Sequence, residues 1–146
     1  MGLFLFLIMK EGEKMIFRSK EHMQIFKRNL DFYGKCNENL SNDFLATIYL
    51  LTADIKLWLM TDKFVKTENI NFSNVRLKGI SVNGYTLFRV AQDIYTGTNY
   101  LPISDLANKK IVSPQIFDII QTAMLIRRNG MKVISKDESE VYQEKT

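Results

Sequence analysis

The sequence predicts a mainly α-helical fold, a compact bundle of about five helices with room for one short β pairing. Apolar residues recur at every third or fourth position through most of the chain, which is the spacing of one helix face. Serines precede several of these segments and glycines follow them, as expected of helix caps. The 146 residues include only two prolines and seven glycines, too few for a turn-rich β-sandwich.

Two helices are predicted in the first third of the chain. The first begins after Ser19, whose hydroxyl can accept from the free amides of the first turn, and ends at Gly34. Its apolar face comprises Met23, Phe26, Leu30 and Tyr33. The second runs from residue 43 to about residue 52 and is capped by Ser41 or Asn42.

The middle of the chain predicts one more helix and then a break. Residues 54–64 are apolar nearly all round, so this third helix is expected to be buried. Residues 66–73 are polar and rich in asparagine, which is typical of a loop. Residues 75–81 fit either a short strand or extended chain.

Two long helices are predicted in the last third. One begins after Ser81 and ends before Gly97, and a short helical turn is expected after Ser104. The other begins at Ser113, with Pro114 at the first helical position, where its missing N–H loses no bond. It carries Arg127 and Arg128 in its last turn and closes at Gly130. We expect the core to be formed by Phe26, Leu30, Leu45, Ile48, Trp58, Phe88, Ile94, Ile116, Ile120 and Met124.

The chain opens on seven apolar residues, 3–9, followed by a short charged segment. The run is shorter than the roughly 20 residues of a membrane-spanning helix and has no signal-peptide cleavage site. The apolar run fits a buried or edge strand. The run and the charged segment after it also fit a translated ribosome-binding site, since Glu-Gly-Glu can be encoded as GAAGGAGAA, and Met15 would then be the natural start.

We therefore expect residues 1–14 to be a leader or an N-terminal extension, 15–134 a single helical domain, and 135–146 a charged, flexible tail. The short β pairing is expected to involve residues 75–77, residues 131–134 or the N-terminal run.

Composition sets limits on location and partners. The single cysteine excludes an intramolecular disulfide and favours a reducing, cytoplasmic compartment. The net charge of +4 permits contact with nucleic acid or an acidic partner without requiring it. No membrane contact is expected.

No catalytic, metal or cofactor site is predicted. His22 is the only histidine, which excludes a metal site with several histidines. A predicted helix separates His22 from Cys36 by about 18 Å, whereas a nucleophile and its base need about 3 Å. We expect His22 to be partly exposed and structural. The two glycines of Gly79–Gly84 have the spacing of a phosphate loop, but Tyr85 follows where that loop requires lysine.

Nucleic-acid binding has one candidate surface. Residues 104–130 have the outline of a helix-turn-helix, but the second helix is apolar where a recognition helix must be polar. On the first predicted helix, Lys20, Lys27 and Arg28 lie near one another, away from its apolar face. This basic face is the predicted binding site for nucleic acid or an acidic partner, although an ordinary solvated face has the same appearance.

Several segments resemble one known family. They are MIFRSKEH (15–22), FLATIYLLTADIKLWLM (44–60), GYTLFRVAQDIYTG (84–97), ISDLANKK (103–110) and IFDIIQTAMLIRRNG (116–130). This set resembles domain of unknown function 6075, an uncharacterised family of Gram-positive bacteria and their phages, over residues 15 to about 130. Thr96-Gly97 stands where Asn-Gly is common in that family, which leaves the helix cap intact. The resemblance implies a start at Met15 and a small cytoplasmic protein from bacterial or phage genomes, with no catalytic residues to carry over.

Three functional classes follow from the sequence. The leading hypothesis is a non-enzymatic accessory protein that acts through protein contacts, is encoded by a phage or mobile element and modulates a host system. The second is a weak nucleic-acid-binding protein that uses the basic face. The third is an enzyme with an unrecognised carboxylate site.

Overall fold

The computed structural model of the protein describes residues 16–36 and 39–130, except the side chain of Cys36. Within these ranges the fold is mainly helical, with six helices, five of them seven residues or longer, and one two-stranded antiparallel pairing. The helices are α1 (Lys20–Cys36), α2 (Asn42–Leu51), α3 (Ile55–Thr61), α4 (Val82–Thr96), α5 (Ile103–Leu106) and α6 (Pro114–Asn129). The strands β1 (Val65–Lys66) and β2 (Asn69–Ile70) follow α3, between single 3₁₀ turns at Asp62–Phe64 and Phe72–Asn74.

Helix α2 lies at the centre of the bundle. Every residue from Phe44 to Leu51 is buried, and the helix packs chiefly against α4 and α6. Thr47 is the one polar residue in this stretch other than Tyr49, and its hydroxyl donates to the carbonyl of Asp43 at 2.7 Å. A helix that is apolar all round must be covered on all sides, so α2 dictates where the others pack.

The start of α2 contacts the end of α6. The amide of Asn42 donates to the carbonyl of Arg127 at 3.1 Å, and Asp43 forms an ion pair with the Arg127 guanidinium at 3.0 Å. Gly130, the C-cap of α6, has a φ of 78°, and a β-carbon there would lie 3.0 Å from the Asn42 side chain. These contacts orient α2 and α6 antiparallel.

The segment before α1 is fastened to the other end of α2. Ile16 and Phe17 are buried, and the Tyr49 hydroxyl donates to the carbonyl of Ile16. His22 Nδ1 accepts from the backbone N–H of Arg18 at 2.9 Å, and Nε2–H donates to the carbonyl of Tyr49 at 2.8 Å. Because a carbonyl can only accept and an amide can only donate, these two bonds assign the tautomer of the ring.

Burial determines the protonation states of His22 and Tyr49. Desolvation lowers the pKa of His22 to about 3 and raises the pKa of Tyr49. Both side chains are therefore neutral at physiological pH. The expectation that His22 is partly exposed is wrong, because the ring lies on the same side of α1 as Phe26 and donates to the Tyr49 carbonyl in the last turn of α2, which also accepts from the Thr52 hydroxyl.

Most of the predicted core is confirmed. Phe26, Leu45, Ile48, Trp58, Phe88, Ile116 and Ile120 are buried, and Leu30 and Ile94 are half-buried against them. Met124 is 41% exposed, so its assignment to the core is wrong. Helix α3 also differs from the prediction, since Ile55 and Leu59 are exposed and only one side of this helix faces the core.

Helix boundaries agree with most of the capping signals. Helices α2, α4 and α6 begin after Ser41, Ser81 and Ser113, whose hydroxyls each accept a first-turn N–H. The predicted stop at Gly34 is wrong, because α1 continues to Cys36. The short turn expected after Ser104 is wrong in its start, because α5 begins at Ile103 after Pro102 and contains Ser104.

The β pairing lies at the start of the segment that was predicted to be a loop, residues 66–73, and includes Val65 just before it. Val65 pairs with Ile70 and Lys66 with Asn69 around a two-residue turn. Residues 75–77 are not in a strand, although Val75 is buried. The other two locations proposed for the pairing, residues 131–134 and the N-terminal run, lie outside the described residues, as do the predicted leader and the whole of the predicted tail, residues 135–146.

Glu68 in this turn adopts a left-handed conformation with a φ of 59°, which is unfavourable for a residue other than glycine. Its carboxylate accepts from the Ser41 hydroxyl at 2.8 Å and from the Ser41 backbone N–H. Ser41 in turn caps α2 by accepting from the N–H of Phe44. The hairpin therefore supports the start of the central helix.

Substitutions at Glu68 should separate the hydrogen bonds from the backbone strain. Glu68→Ala should lower the free energy of unfolding by about 1–2 kcal/mol, because the bonds to Ser41 are lost and the left-handed backbone remains. Glu68→Gly should recover up to about 1 kcal/mol of that loss, because glycine adopts this conformation without strain. Urea unfolding measures both values, and Glu68→Gln, which can still accept from Ser41, is the matched control. Equal stabilities for the alanine and glycine variants would contradict the assignment of strain to Glu68.

The buried histidine should make stability depend on pH. The pKa of His22 is about 3 when folded and near 6.5 when exposed, so the unfolded chain takes up a proton first as the pH falls. The contribution of neutral His22 is complete above about pH 6.5, and it is lost at about 1.4 kcal/mol per pH unit below that value. Urea unfolding at pH 7.5, 6 and 5 measures this slope. His22→Gln, which can still donate to Tyr49, should show a flatter dependence, and identical slopes in the two proteins would contradict the prediction.

Candidate functional site

The predicted basic face lies on the solvent side of α1. Lys20 and Arg28 are exposed and Lys27 is half-buried. Lys20 and Arg28 are eight residues apart, which is about 12 Å along the helix. Two exposed carboxylates, Glu21 and Asp31, share this side, and Asp31 lies about one turn beyond Lys27 and Arg28. The face is therefore mixed in charge, which favours a solvated surface over a nucleic-acid site.

The residues considered for catalysis do not form a site. His22 is buried and both its ring nitrogens are engaged, so it has no nitrogen available to a substrate. The positions of His22 and Cys36 are fourteen residues apart on one helix, about 21 Å along its axis.

The glycine-containing segment that resembles a phosphate loop is the capped start of α4. The N–H of Gly84 donates to the Ser81 hydroxyl at 3.0 Å, and a β-carbon on Gly84 would lie 2.6 Å from Ile80. Close packing therefore explains this glycine.

Neither a metal-binding cluster nor a membrane-spanning helix is found among the described residues. No group of three or more histidine, cysteine, aspartate or glutamate side chains in residues 16–36 and 39–130 could hold a metal ion. None of the helices in the same ranges is long and apolar enough to cross a membrane.

A groove between α4 and α6 is the strongest candidate site. It is open to solvent, mostly apolar and about 410 Å³ in volume. It is lined by Val90, Asp93, Ile94, Gly97, Leu101, Leu106, Met124, Arg127 and Arg128. These residues come from the C-terminal halves of both long helices, from the loop after α4 and from α5. We call this feature the α4–α6 groove.

Asp93 fastens the loop that forms one wall of the groove. Its carboxylate accepts from the Thr98 hydroxyl at 2.7 Å and from the backbone N–H groups of Tyr100 and Leu101 at 2.8 and 2.9 Å. Gly97 ends α4 in the left-handed conformation that starts the loop, with a φ of 77°. Leu101 is thereby held in place before any ligand binds.

An arginine stacked on tyrosines fastens the same loop from outside. The Arg89 guanidinium lies 4.4 Å from the centre of the Tyr100 ring and 5.1 Å from that of Tyr85. Its Nε donates to the Tyr85 hydroxyl at 3.0 Å and a terminal nitrogen donates to Gln92 at 2.9 Å. Such stacking is favourable, particularly with a partly buried arginine. Two independent sets of contacts therefore make the loop rigid.

The groove is lined by two arginines and one aspartate, and only one of these charged groups has no partner among the described residues. Arg127 is paired with Asp43, and the carboxylate of Asp93 is occupied by its three donors. Arg128 is exposed and has no ion pair or hydrogen bond to another described residue. Its guanidinium is therefore available to a ligand.

Sequence reasoning missed this groove. Met124 continues the apolar pattern of its helix and was assigned to the core, whereas Arg127 and Arg128 were explained by the helix dipole. The signal that could have found the site is the width of the apolar pattern on α6, where Met124 and Leu125 both lie outside the buried stripe and are 41% exposed.

Comparison of the chain with protein-family models, curated proteins and solved structures gave no match. The resemblance to domain of unknown function 6075 therefore stays a hypothesis, and the functional argument rests on the geometry of the chain.

The basic face should bind nucleic acid only weakly. Three cations can neutralise about three phosphates. The logarithm of the affinity for duplex DNA should then fall with the logarithm of the salt concentration, with a slope of about −0.9 for each phosphate contact. Binding should be non-specific, with a Kd above about 10⁻⁶ M at physiological salt. Anisotropy titrations of labelled DNA and RNA at several salt concentrations measure this. The variant with Lys20→Glu, Lys27→Glu and Arg28→Glu should lose the weak binding, and Lys63→Glu with Lys66→Glu and Lys78→Glu is the control. Nanomolar binding that only the first variant abolishes would make nucleic acid the partner.

Proposed function

We propose that the chain is a non-enzymatic accessory protein that binds a partner protein through the α4–α6 groove. The observation that carries the proposal is a preformed, mostly apolar groove with an exposed methionine, Met124, beside an arginine that no described residue engages. Exposed apolar surface rimmed by polar groups is typical of sites that bind other proteins.

The rigidity of the loop supports binding. Ordering a loop on association costs free energy, and a loop that is already ordered avoids this cost. Asp93 and Arg89 hold residues 98–101 in the absence of a ligand. The groove therefore presents Leu101 in a fixed position.

The residue types at the groove also support a protein partner. Arginine and tyrosine are enriched among the residues that contribute most to protein interfaces, and Tyr100 and Arg128 are both exposed at this end of the molecule. Methionine adapts to differently shaped apolar partners because its side chain is unbranched and flexible.

The proposal also includes where the protein acts and which genome encodes it. The resemblance to domain of unknown function 6075 suggests a cytoplasmic protein encoded by a phage or mobile element that modulates a host system. A nucleic-acid-binding function has less support, because Glu21 and Asp31 share the solvent side of α1 with its cations. An enzymatic function has no supporting arrangement among the described residues.

A groove substitution should abolish partner capture when an equivalent substitution elsewhere does not. Met124 and Leu59 are both exposed apolar residues on helices, at 41% and 66%, so glutamate at either position should leave the fold intact. Tagged wild type, Met124→Glu and Leu59→Glu are each produced in the cells that naturally carry the chain, and bound proteins are quantified by mass spectrometry with and without nuclease. A discrete protein should be recovered with wild type and Leu59→Glu and be depleted at least tenfold with Met124→Glu. Equal recovery with all three, or recovery that nuclease abolishes, would contradict the proposal.

A further inference from the structure

We infer that the segment of the partner that enters the α4–α6 groove is a short acidic one, in which a large apolar side chain lies next to one or two carboxylates. This inference rests on the proposed function and adds the chemistry of the partner. It follows from the length of the groove, the nature of its walls and the charge at its rim.

The groove is short. Its lining on α4 extends from Val90 to Gly97, which is about 10 Å along the helix, and its lining on α6 from Met124 to Arg128, which is about 6 Å. A long helix laid into a groove needs several turns of contact. The available length instead fits a few residues of a partner, with one or two anchoring side chains.

The walls select an apolar anchor. Ile94, Leu101, Leu106 and Met124 approach the groove from three different segments of the chain. The one carboxylate among the lining residues, Asp93, already accepts three hydrogen bonds from the loop. A polar anchor would therefore lose its water and gain few hydrogen bonds, whereas an apolar anchor loses little.

The rim selects a carboxylate. Arg128 presents a guanidinium that no other described residue engages, at one end of the apolar surface. Arg127 lies beside it and is positioned by Asp43 at 3.0 Å. Guanidinium groups pair with carboxylates through two parallel hydrogen bonds, so an acidic residue next to the anchor would be recognised with defined geometry. A basic segment would be repelled by Arg128, whose charge no ion pair with a described residue offsets.

Blocked synthetic peptides test this chemistry directly. The first peptide has two leucines flanked by glutamates, the second replaces the glutamates with lysines, and the third replaces the leucines with serines. The full chain is labelled at its methionine methyl groups, and the Met124 signal is assigned from Met124→Leu. The first peptide should shift the Met124 signal saturably and bind at least tenfold more tightly than either of the others.

Charge reversal provides the decisive variant. Arg128→Glu should weaken binding of the acidic peptide at least tenfold and strengthen binding of the lysine peptide, whereas Arg128→Lys should keep the acidic preference at reduced affinity. Arg76→Glu, at an exposed arginine away from the groove, is the matched control and should change neither affinity. Since Arg128 is exposed, the variants should fold, and circular dichroism checks this.

Several outcomes would overturn the inference. Equal binding of the glutamate and lysine peptides would exclude charge recognition, and equal binding of the serine peptide would exclude the apolar anchor. A Met124 signal that moves on deletion of residues 131–146, or on dilution, without added peptide would assign the groove to the chain itself or to a second copy.

The inference and the proposed function can fail separately. Partner capture could depend on Met124 but not on Arg128, with all three peptides bound equally. The groove would then remain the binding site, and the inference that the partner segment is acidic would be wrong. Selective peptide binding with capture unaffected by Met124→Glu would instead make the proposed function wrong.

Discussion

The complete burial of α2 is the constraint on which the rest of the structure depends. Side chains from Phe44 to Leu51 point in all directions around this helix, and each must be removed from water. Helices α4 and α6 cover most of the surface, and α1 and α3 cover the remainder. The two ends of a buried helix also carry backbone groups without partners inside the helix. Ser41 and Glu68 satisfy the first turn, and His22 donates to the carbonyl of Tyr49 near the last.

Local signals along the chain predicted where helices begin and end, because a cap is a contact between neighbours in sequence. Ser81 and Ser113 are examples, since each hydroxyl accepts an N–H three residues later. The choice of which side is buried is decided by partners that are distant in sequence. His22 was expected to be partly exposed because it lies near a helix N-terminus, and the carbonyl that accepts its hydrogen bond belongs to Tyr49, 27 residues away. Met124 was assigned to the core because it continues the apolar spacing of α6. That spacing does not show how far α4 lies from the end of α6.

The candidate site was harder to predict than the fold for the same reason. Its lining comes from three separated segments, and each lining residue has an adequate local explanation. Arg127 and Arg128 favour the end of a helix, Gly97 is a helix cap, and Asp93 fastens a loop. The nature of the site appears only when these segments are brought together. By contrast, Lys20, Lys27 and Arg28 could be grouped from one helix alone, but the same helical geometry places Asp31 beside them.

The α4–α6 groove and the central helix α2 are linked by direct contacts. Asn42 and Asp43, at the start of α2, bind the last turn of α6 through the carbonyl and guanidinium of Arg127. Glu68 holds Ser41, the residue immediately before them. The end of α6 that forms the groove is therefore positioned by the same capping contacts that begin the buried helix. Met124 and Arg128, in contrast, are exposed and contribute little to the core. The molecule thus separates the residues that shape the groove from those that meet a ligand, so the chemistry of the groove can change without loss of the fold.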